Sequence, residues 1–201
     1  AYNPRTVISL LDEHNEATSV IKNAREAIML LHKKILKEKH FKNLSGWRDT
    51  VPQLFAVSTW VGYDIDGRSD ISWLDSFRLR LSEKKTSLDL YIEKLLPLRG
   101  SHPEVVQIID ELSVERSATE ADLERFSKIE NNGFVDCANR LSERKDKLIA
   151  SRAFAERLRK IAADTQNPEE AIELLAIAGD IASNGFGLGE LHLRINAVQL
   201  A

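Results

Sequence analysis

Acidic residues and glycines crowd together in the stretch Gly62-Tyr63-Asp64-Ile65-Asp66-Gly67-Arg68-Ser69-Asp70. Its two glycines allow backbone angles that other residues avoid, so the chain can turn sharply around these charges. A calcium loop of the EF-hand type is excluded. With Gly67 at the invariant glycine position, the first ligand would be Gly62 and the bidentate acid would be Trp73. An ordinary strand-to-helix turn, in which Asp and Gly are common, stays open as an alternative.

The elements on either side of this stretch suit a site at the end of a strand. Phe55 to Val61 is rich in β-branched and aromatic residues and predicts a buried strand. Ser72, followed three residues later by Asp75, predicts the capping box of a helix. A strand, a charged glycine loop and a helix in this order place polar side chains at the carboxyl end of a parallel strand.

The segment Trp60-Val61-Gly62-Tyr63-Asp64-Ile65-Asp66-Gly67-Arg68-Ser69 resembles the phosphoenolpyruvate carboxylase motif Trp-Met-Gly-Gly-Asp-Arg-Asp-Gly-Asn-Pro. The motif and the chain share five residues, and the other five positions carry different ones. The shared residues are Trp60, Gly62, Asp64, Asp66 and Gly67; the different ones are Val61, Tyr63, Ile65, Arg68 and Ser69.

A second landmark of the same family lies near the carboxyl end. Leu193-Arg194-Ile195-Asn196-Ala197-Val198-Gln199 resembles the family's strand Val-Arg-Ile-Asp-Ile-Arg-Gln, in which Arg194, Ile195 and Gln199 match. The order of the two landmarks and the long helical stretch between them also fit. The resemblance runs from about Ala24 to the end of the chain.

The resemblance implies an internal segment of a divergent carboxylase, a carbon–carbon lyase that joins bicarbonate to phosphoenolpyruvate to give oxaloacetate and phosphate. It implies a turn at the active-site end of a partial (α/β) barrel, formed by Trp60, Gly62, Asp64, Asp66 and Gly67. It also implies that Arg194, Arg68 and Gln199 bind substrate. The family uses a divalent metal such as magnesium, but its metal ligands and catalytic histidine have no counterpart here, so we expect activity only in the full-length protein.

Two departures from the family pattern bear on activity. Ile65 and Val198 stand where the family has arginines, and losing two guanidinium groups from an anion site costs on the order of several kcal/mol of binding free energy. Arg68 could restore one charge from three positions away. A non-catalytic relative, or an unrelated helical interaction module, therefore stays open beside the enzyme.

The composition of the chain argues against nucleic acid and membrane as partners. The chain has 201 residues and a net charge of −3, without the basic field that nucleic-acid binding needs. No apolar run approaches the roughly 20 residues of a membrane span, so we expect no membrane partner. The single Cys137 favours a reducing compartment, hence a cytoplasmic protein. The start Ala-Tyr-Asn-Pro, without methionine, suggests an excised piece; a homo-oligomer is left open.

The apolar spacing predicts a mainly α fold of long antiparallel helices with two short strand segments. We divide the chain into residues 1–52 (helix and loop), 53–71 (strand and glycine/acid loop), 72–184 (helical bundle) and 185–201 (glycine turn and strand). Predicted helices cover 7–39, 72–96, 101–130, 134–164 and 168–184, and the last strand covers 191–200.

Three smaller features complete the sequence-based predictions. Ala17, Val20, Ala24, Ile28, Leu31 and Ile35 form the predicted buried stripe of the first helix. Ser101 is the predicted cap of the third helix, with His102 as a surface turn residue. The glycines at 185, 187 and 189 favour a hinge or turn over a phosphate cradle, because no helix follows closely.

Overall fold

A computed structural model describes residues 8–100, 102–129, 133–144 and 150–194. Within these ranges the chain is mainly helical, as predicted, with two short strands. The helices are α1 (Leu10–Phe41), α2 (Trp73–Leu95), α3 (Pro103–Lys128), α4 (Phe134–Glu143), α5 (Ser151–Asp164) and α6 (Pro168–Asn184), and the strands are β1 (Ser58–Thr59) and β2 (Glu190–Leu191). No helix of the described ranges combines the length and the apolar character that crossing a membrane requires.

Side-chain caps begin several of these helices. The predicted capping box of Ser72 and Asp75 is confirmed at the start of α2, and Asn167 caps α6. The cap of α3 is His102, whose Nδ1 accepts a hydrogen bond from Glu104 N at 3.2 Å, so the assignment of this role to Ser101 was wrong. Ser101 itself lies outside the described residues.

The main core lies between α2, α3, α5 and α6. Four leucines of α2 recur every seven residues and are all buried, with Leu88 and Leu95 fully inside. A smaller cluster forms around Phe126, whose ring stacks on Phe77 at 5.8 Å between centroids. Almost every residue of α6 from Ala171 to Ile181 is buried, so this helix is the centre of the packing.

The buried face of α1 differs from the predicted stripe. Val20 and Leu31 are exposed, while Arg25 and His32 are completely buried. The full buried set is His14, Ile21, Arg25, Met29, His32 and Leu36. The stripe was displaced because polar residues were assigned to the solvent side, whereas here Arg25 meets buried polar partners from α2 and α6.

The predicted single helix over 134–164 is two helices. α4 ends at Glu143, and Arg144 has an extended backbone with φ −61° and ψ 116°. α5 begins at Ser151 with the non-helical residue Ala150 before it. The backbone thus stops being helical at Arg144, and the side chain of this residue forms ion pairs with Glu115 and Asp122 of α3.

The strands are parallel and much shorter than predicted. Ser58 pairs with Glu190 and Thr59 with Leu191. The predicted buried strand from Phe55 to Val61 is wrong over most of its length, since Phe55 is 54% exposed and only two residues pair. A strand needs a partner along its edge and cover on its faces, and the described ranges supply one partner. Residues 195–200 of the predicted final strand lie outside the described ranges.

Candidate functional site

The stretch Gly62 to Asp70, here called the acidic turn, lies between β1 and the start of α2. Gly62 has φ +87°, and a Cβ there would lie 2.2 Å from Leu79 Cδ1, so the turn depends on glycine at this position. Tyr63 N donates to Trp60 O at 2.9 Å, and Ser76 Oγ donates to Gly62 O at 2.7 Å. The first turn of α2 therefore holds the acidic turn in place.

The turn bulges out of the parallel pair and then returns to it. Thr59 pairs with Leu191 and Asp64 with Arg194, so the four residues 60–63 on one side face the two residues 192–193 on the other. Arg194 N donates to Tyr63 O at 3.0 Å, and Ile65 N donates to Arg194 O at 3.1 Å. Bulges of this kind redirect side chains next to functional sites.

Asp64 and Arg194 also meet through their side chains. Arg194 Nη1 lies 3.5 Å from Asp64 Oδ1, with the arginine two-thirds exposed and the aspartate three-quarters covered. The described start of the second landmark thus lies beside the first. Gln199, the third predicted substrate-binding residue of this strand, lies outside the described residues.

Arg68 points to carboxylates of the chain itself. Its guanidinium lies 2.6 Å from Asp70 Oδ2 and 2.6 Å from Glu13 Oε2 on α1. These hydrogen bonds to Asp70 and Glu13 raise the pKa of Arg68, and Arg68 lowers the pKa of Asp70. The assignment of Arg68 to substrate stays a prediction, and its charge is already compensated.

The remaining predicted turn residues are exposed. Trp60 is 59% exposed beside the bulge, and Asp66 and Gly67 face solvent. A Cβ on Gly67 would lie 3.0 Å from Asp64 Oδ2, so a side chain here would disturb that carboxylate. The turn presents an acidic surface on which Arg194 is the exposed cation next to Asp64.

Buried polar groups lie beneath the turn. Glu83 on α2 is 1% exposed, accepts a hydrogen bond from Arg80 Nη1 at 3.0 Å and lies 3.7 Å from His14 Nδ1. Burial raises the pKa of Glu83 and lowers the pKa of His14. Burial also raises the pKa of Tyr63, and the nearby carboxylate of Glu83 acts in the same direction.

The glycine turn after α6 is shaped by close contacts. A Cβ on Gly187 would lie 2.3 Å from Arg80 Nη2, and a Cβ on Gly189 would lie 2.6 Å from Val57 O. Gly185 has φ +66°. Protein groups fill the space over these glycines, which favours a tightly packed turn over a phosphate cradle.

Sequence reasoning missed a buried ion pair between Arg25 on α1 and Asp180 on α6, both fully inside the protein. Burial alone would lower the pKa of Arg25, but Tyr91 and Asp180 outweigh it and raise that pKa. His32 lies near this pair, and neither of its ring nitrogens has a partner among the described residues. A lone aspartate within the apolar run from Leu174 to Ala182 was the available signal.

We expect His32→Leu to flatten the pH dependence of stability below about pH 6.5, the usual pKa of an unfolded-state histidine. Burial lowers the pKa of His32 against the opposing effect of Asp180, so its unfolded-state pKa of about 6.5 is the higher one. The contribution of the neutral His32 ring to the free energy of unfolding is therefore present in full above that pH. It is lost as the pH falls toward the folded-state pKa. Urea unfolding at several pH values measures this slope.

Two other buried groups, His14 and Glu83, also contribute to the pH dependence of stability. His14 acts in the same direction as His32, whereas Glu83 contributes stability at low pH that is lost as the pH rises through its raised pKa. His40→Leu, at a half-exposed position of the same helix, is the control. An unchanged slope in His32→Leu would contradict the assignment of a buried neutral imidazole.

Comparisons with known proteins return no relative: no family model, no curated protein and no solved structure matches the chain.

Proposed function

We propose that this chain is an internal segment of a phosphoenolpyruvate carboxylase-like protein and supplies one edge of its substrate site. The observation that carries the proposal is the parallel pairing of Asp64 with Arg194. The resemblance requires two landmarks about 130 residues apart in sequence to open onto one site, and a shared backbone pairing meets that requirement. Helices between two parallel strands also suit a partial (α/β) barrel completed by other segments.

In the proposed reaction, a carbon–carbon bond forms between bicarbonate and phosphoenolpyruvate, and phosphate is released with oxaloacetate. Arg194 would bind an anionic group of the substrate, because its exposed guanidinium can donate two parallel hydrogen bonds. Asp64 would orient that guanidinium through its carboxylate. The bulge beside them would keep Trp60 at the rim of the site.

Magnesium, which the resemblance implies, does not fit the residues at hand. Among the described ranges no group of three His, Cys, Asp or Glu side chains could hold a metal ion. Other parts of the longer protein would have to hold the ion. The proposed enzyme is cytoplasmic, in line with a single cysteine.

A non-catalytic relative is the second candidate, and the charges around the turn favour it. Ile65 is 9% exposed where the family has an arginine, and Arg68 pairs with Glu13 and Asp70. The acidic turn therefore has little positive charge to offer an anionic substrate besides Arg194.

Turnover by the full-length gene product tests the proposal. We expect oxaloacetate formation that requires both phosphoenolpyruvate and bicarbonate in magnesium buffer, measured by coupling to NADH oxidation with malate dehydrogenase. Arg194→Ala should lower kcat/KM about 10- to 150-fold, as expected for the loss of a charged hydrogen bond worth about 1.5–3 kcal/mol. The isolated 201-residue chain should show no turnover.

Arg116→Ala is the matched control and should leave kcat/KM within a few-fold of wild type, because this arginine of α3 is engaged by Asp89 and Glu120 and belongs to neither landmark. No turnover by a folded full-length protein would contradict the enzyme and leave the non-catalytic relative. Turnover by the isolated chain would contradict the assignment of an incomplete site.

A further inference from the structure

A buried hydrogen-bond network surrounds the guanidinium of Arg25. Its Nε donates to Asp180 Oδ2 at 3.1 Å, and its Nη2 bonds both Asp180 and the Tyr91 hydroxyl, the latter at 2.7 Å. Its Nη1 donates to Ser87 Oγ and to Leu188 O, each at 3.0 Å. The single side chain of Arg25 thus joins α1, α2, α6 and the glycine turn that leads into β2.

One branch of the network ends on the glycine turn. Leu188, whose carbonyl accepts from Arg25, lies two residues before Glu190 in β2. The hydroxyl of Tyr91 donates to Gly185 O at 2.8 Å, and burial raises the pKa of this phenol so that it keeps its proton. Both ends of the turn are therefore fixed from the core.

The other branch ends at the start of β1. Asn184 Nδ2 donates to Asp180 Oδ1 at 2.9 Å, and its Oδ1 accepts from Val57 N at 3.1 Å. Val57 immediately precedes Ser58 in β1, and its carbonyl accepts from Glu190 N at 2.7 Å. Asp180 thus reaches the first strand through one amide side chain.

We propose that the Arg25–Asp180 network is a positioning device that sets β1 against β2 and so brings Asp64 to Arg194. Its bonds to backbone groups end at Leu188, at Gly185 through Tyr91, and at Val57 through Asn184. These positions flank the short parallel pair that carries the candidate site. The proposal rests on the proposed function only where it treats that site as meeting substrate.

A second observation agrees with this role. The strands pair over only two residues before the bulge, and so few ladder bonds hold a register weakly. Arg80 adds another anchor, because its Nη1 donates to Gly189 O at 3.2 Å while also bonding buried Glu83. Side chains from the core, more than the ladder itself, therefore determine where β2 lies.

Amide hydrogen exchange of the 201-residue chain, followed by NMR, tests the proposal without any substrate. Asn184→Ala removes the link to Val57, and Tyr91→Phe removes the hydroxyl between Arg25 and Gly185. In each variant we expect at least tenfold faster exchange at the amides of Glu190, His192 and Arg194, whose bonds to Val57, Thr59 and Tyr63 form the pair. Amides in the middle of α3 and α5 should stay within twofold of wild type.

Asn167→Ala is the matched control. Asn167 Oδ1 also accepts from a backbone amide, that of Glu169 at 3.0 Å, but at the opposite end of α6. This variant should leave the three strand amides within twofold of wild type.

Faster exchange of all helices together, or unchanged strand amides in Tyr91→Phe, would overturn the positioning role. Tyr91→Phe removes one oxygen atom and decides the question if Asn184→Ala does not fold. Because the measurement needs no turnover, absence of carboxylase activity leaves this result standing, and unchanged exchange leaves the proposed activity standing.

Discussion

Asp180→Ala is expected to lower the free energy of unfolding by about 3–5 kcal/mol, the usual range for removing one partner of a buried ion pair. Arg25 is completely buried, and Asp180 supplies its carboxylate partner in α6. Without that carboxylate a positive charge remains inside the protein with only neutral partners, namely Ser87, Tyr91 and Leu188 O. Urea unfolding followed by circular dichroism measures the loss.

Asp89→Ala is the matched control for this prediction. Asp89 also accepts from an arginine, Arg116 Nε at 2.9 Å, but its side chain is 46% exposed. Water replaces the lost partner there, so the free energy of unfolding should fall much less. An equal loss of free energy of unfolding in both variants would contradict the claim that burial makes the Arg25–Asp180 pair costly to break.

A double replacement separates charge from packing. Arg25→Met with Asp180→Leu removes both charges and keeps apolar volume, so it should lose less stability than the two single changes added together. The recovery should be partial, because Tyr91 and Asn184 lose polar partners inside the core. Simple additivity would contradict a direct interaction between the two side chains.

The helical part of the fold could be predicted because its signals are local. Ser72 and Asp75 mark the start of α2 through contacts three residues apart, and the repeated leucines of that helix mark its buried side. Likewise, Asn167 and the proline after it mark the start of α6. Such signals do not depend on the rest of the chain.

The buried face of α1 could not be read in the same way. Placing Arg25 inside requires knowing that Asp180 and Tyr91, on other helices, lie opposite it. Apolar periodicity considers only the hydrophobicity of each side chain, so it predicted that the face with Val20 and Leu31 is buried. The charged aspartate within α6 was a usable signal, since a buried carboxylate requires a cation or several donors.

The candidate site shows the same division between local and distant information. The turn and its glycines followed from sequence, and the meeting of Asp64 with Arg194 was expected from the resemblance. The pairing of Arg68 with Glu13 was not foreseen, because Glu13 lies 55 residues earlier on a different element. The extent of β1 was overestimated because a β-rich composition does not state how many partner strands are available.

Gly189→Ala is expected to have the second large effect, a loss of about 2–3 kcal/mol in the free energy of unfolding, toward the upper end of the usual cost of overpacking. The new methyl group would lie 2.6 Å from Val57 O, a backbone atom that cannot rotate away as a side chain can. β2 must therefore move away from β1 or strain the bond from Glu190 N to Val57 O, which is 2.7 Å long. Denaturant unfolding measures the loss.

Gly100→Ala separates this collision from the general effect of adding a methyl group. A Cβ at Gly100 meets nothing within 4 Å, so this variant should stay within about 0.5 kcal/mol of wild type. Gly189→Ala should in addition remove the exchange protection of the Arg194 amide, since its bond to Tyr63 O depends on the same register. If Gly189→Ala kept wild-type stability and that protection, Val57 and Gly189 would not be in close contact in solution. The pairing of Asp64 with Arg194 would then need another support, because β1 and β2 are held together at this contact before the chain reaches the bulge.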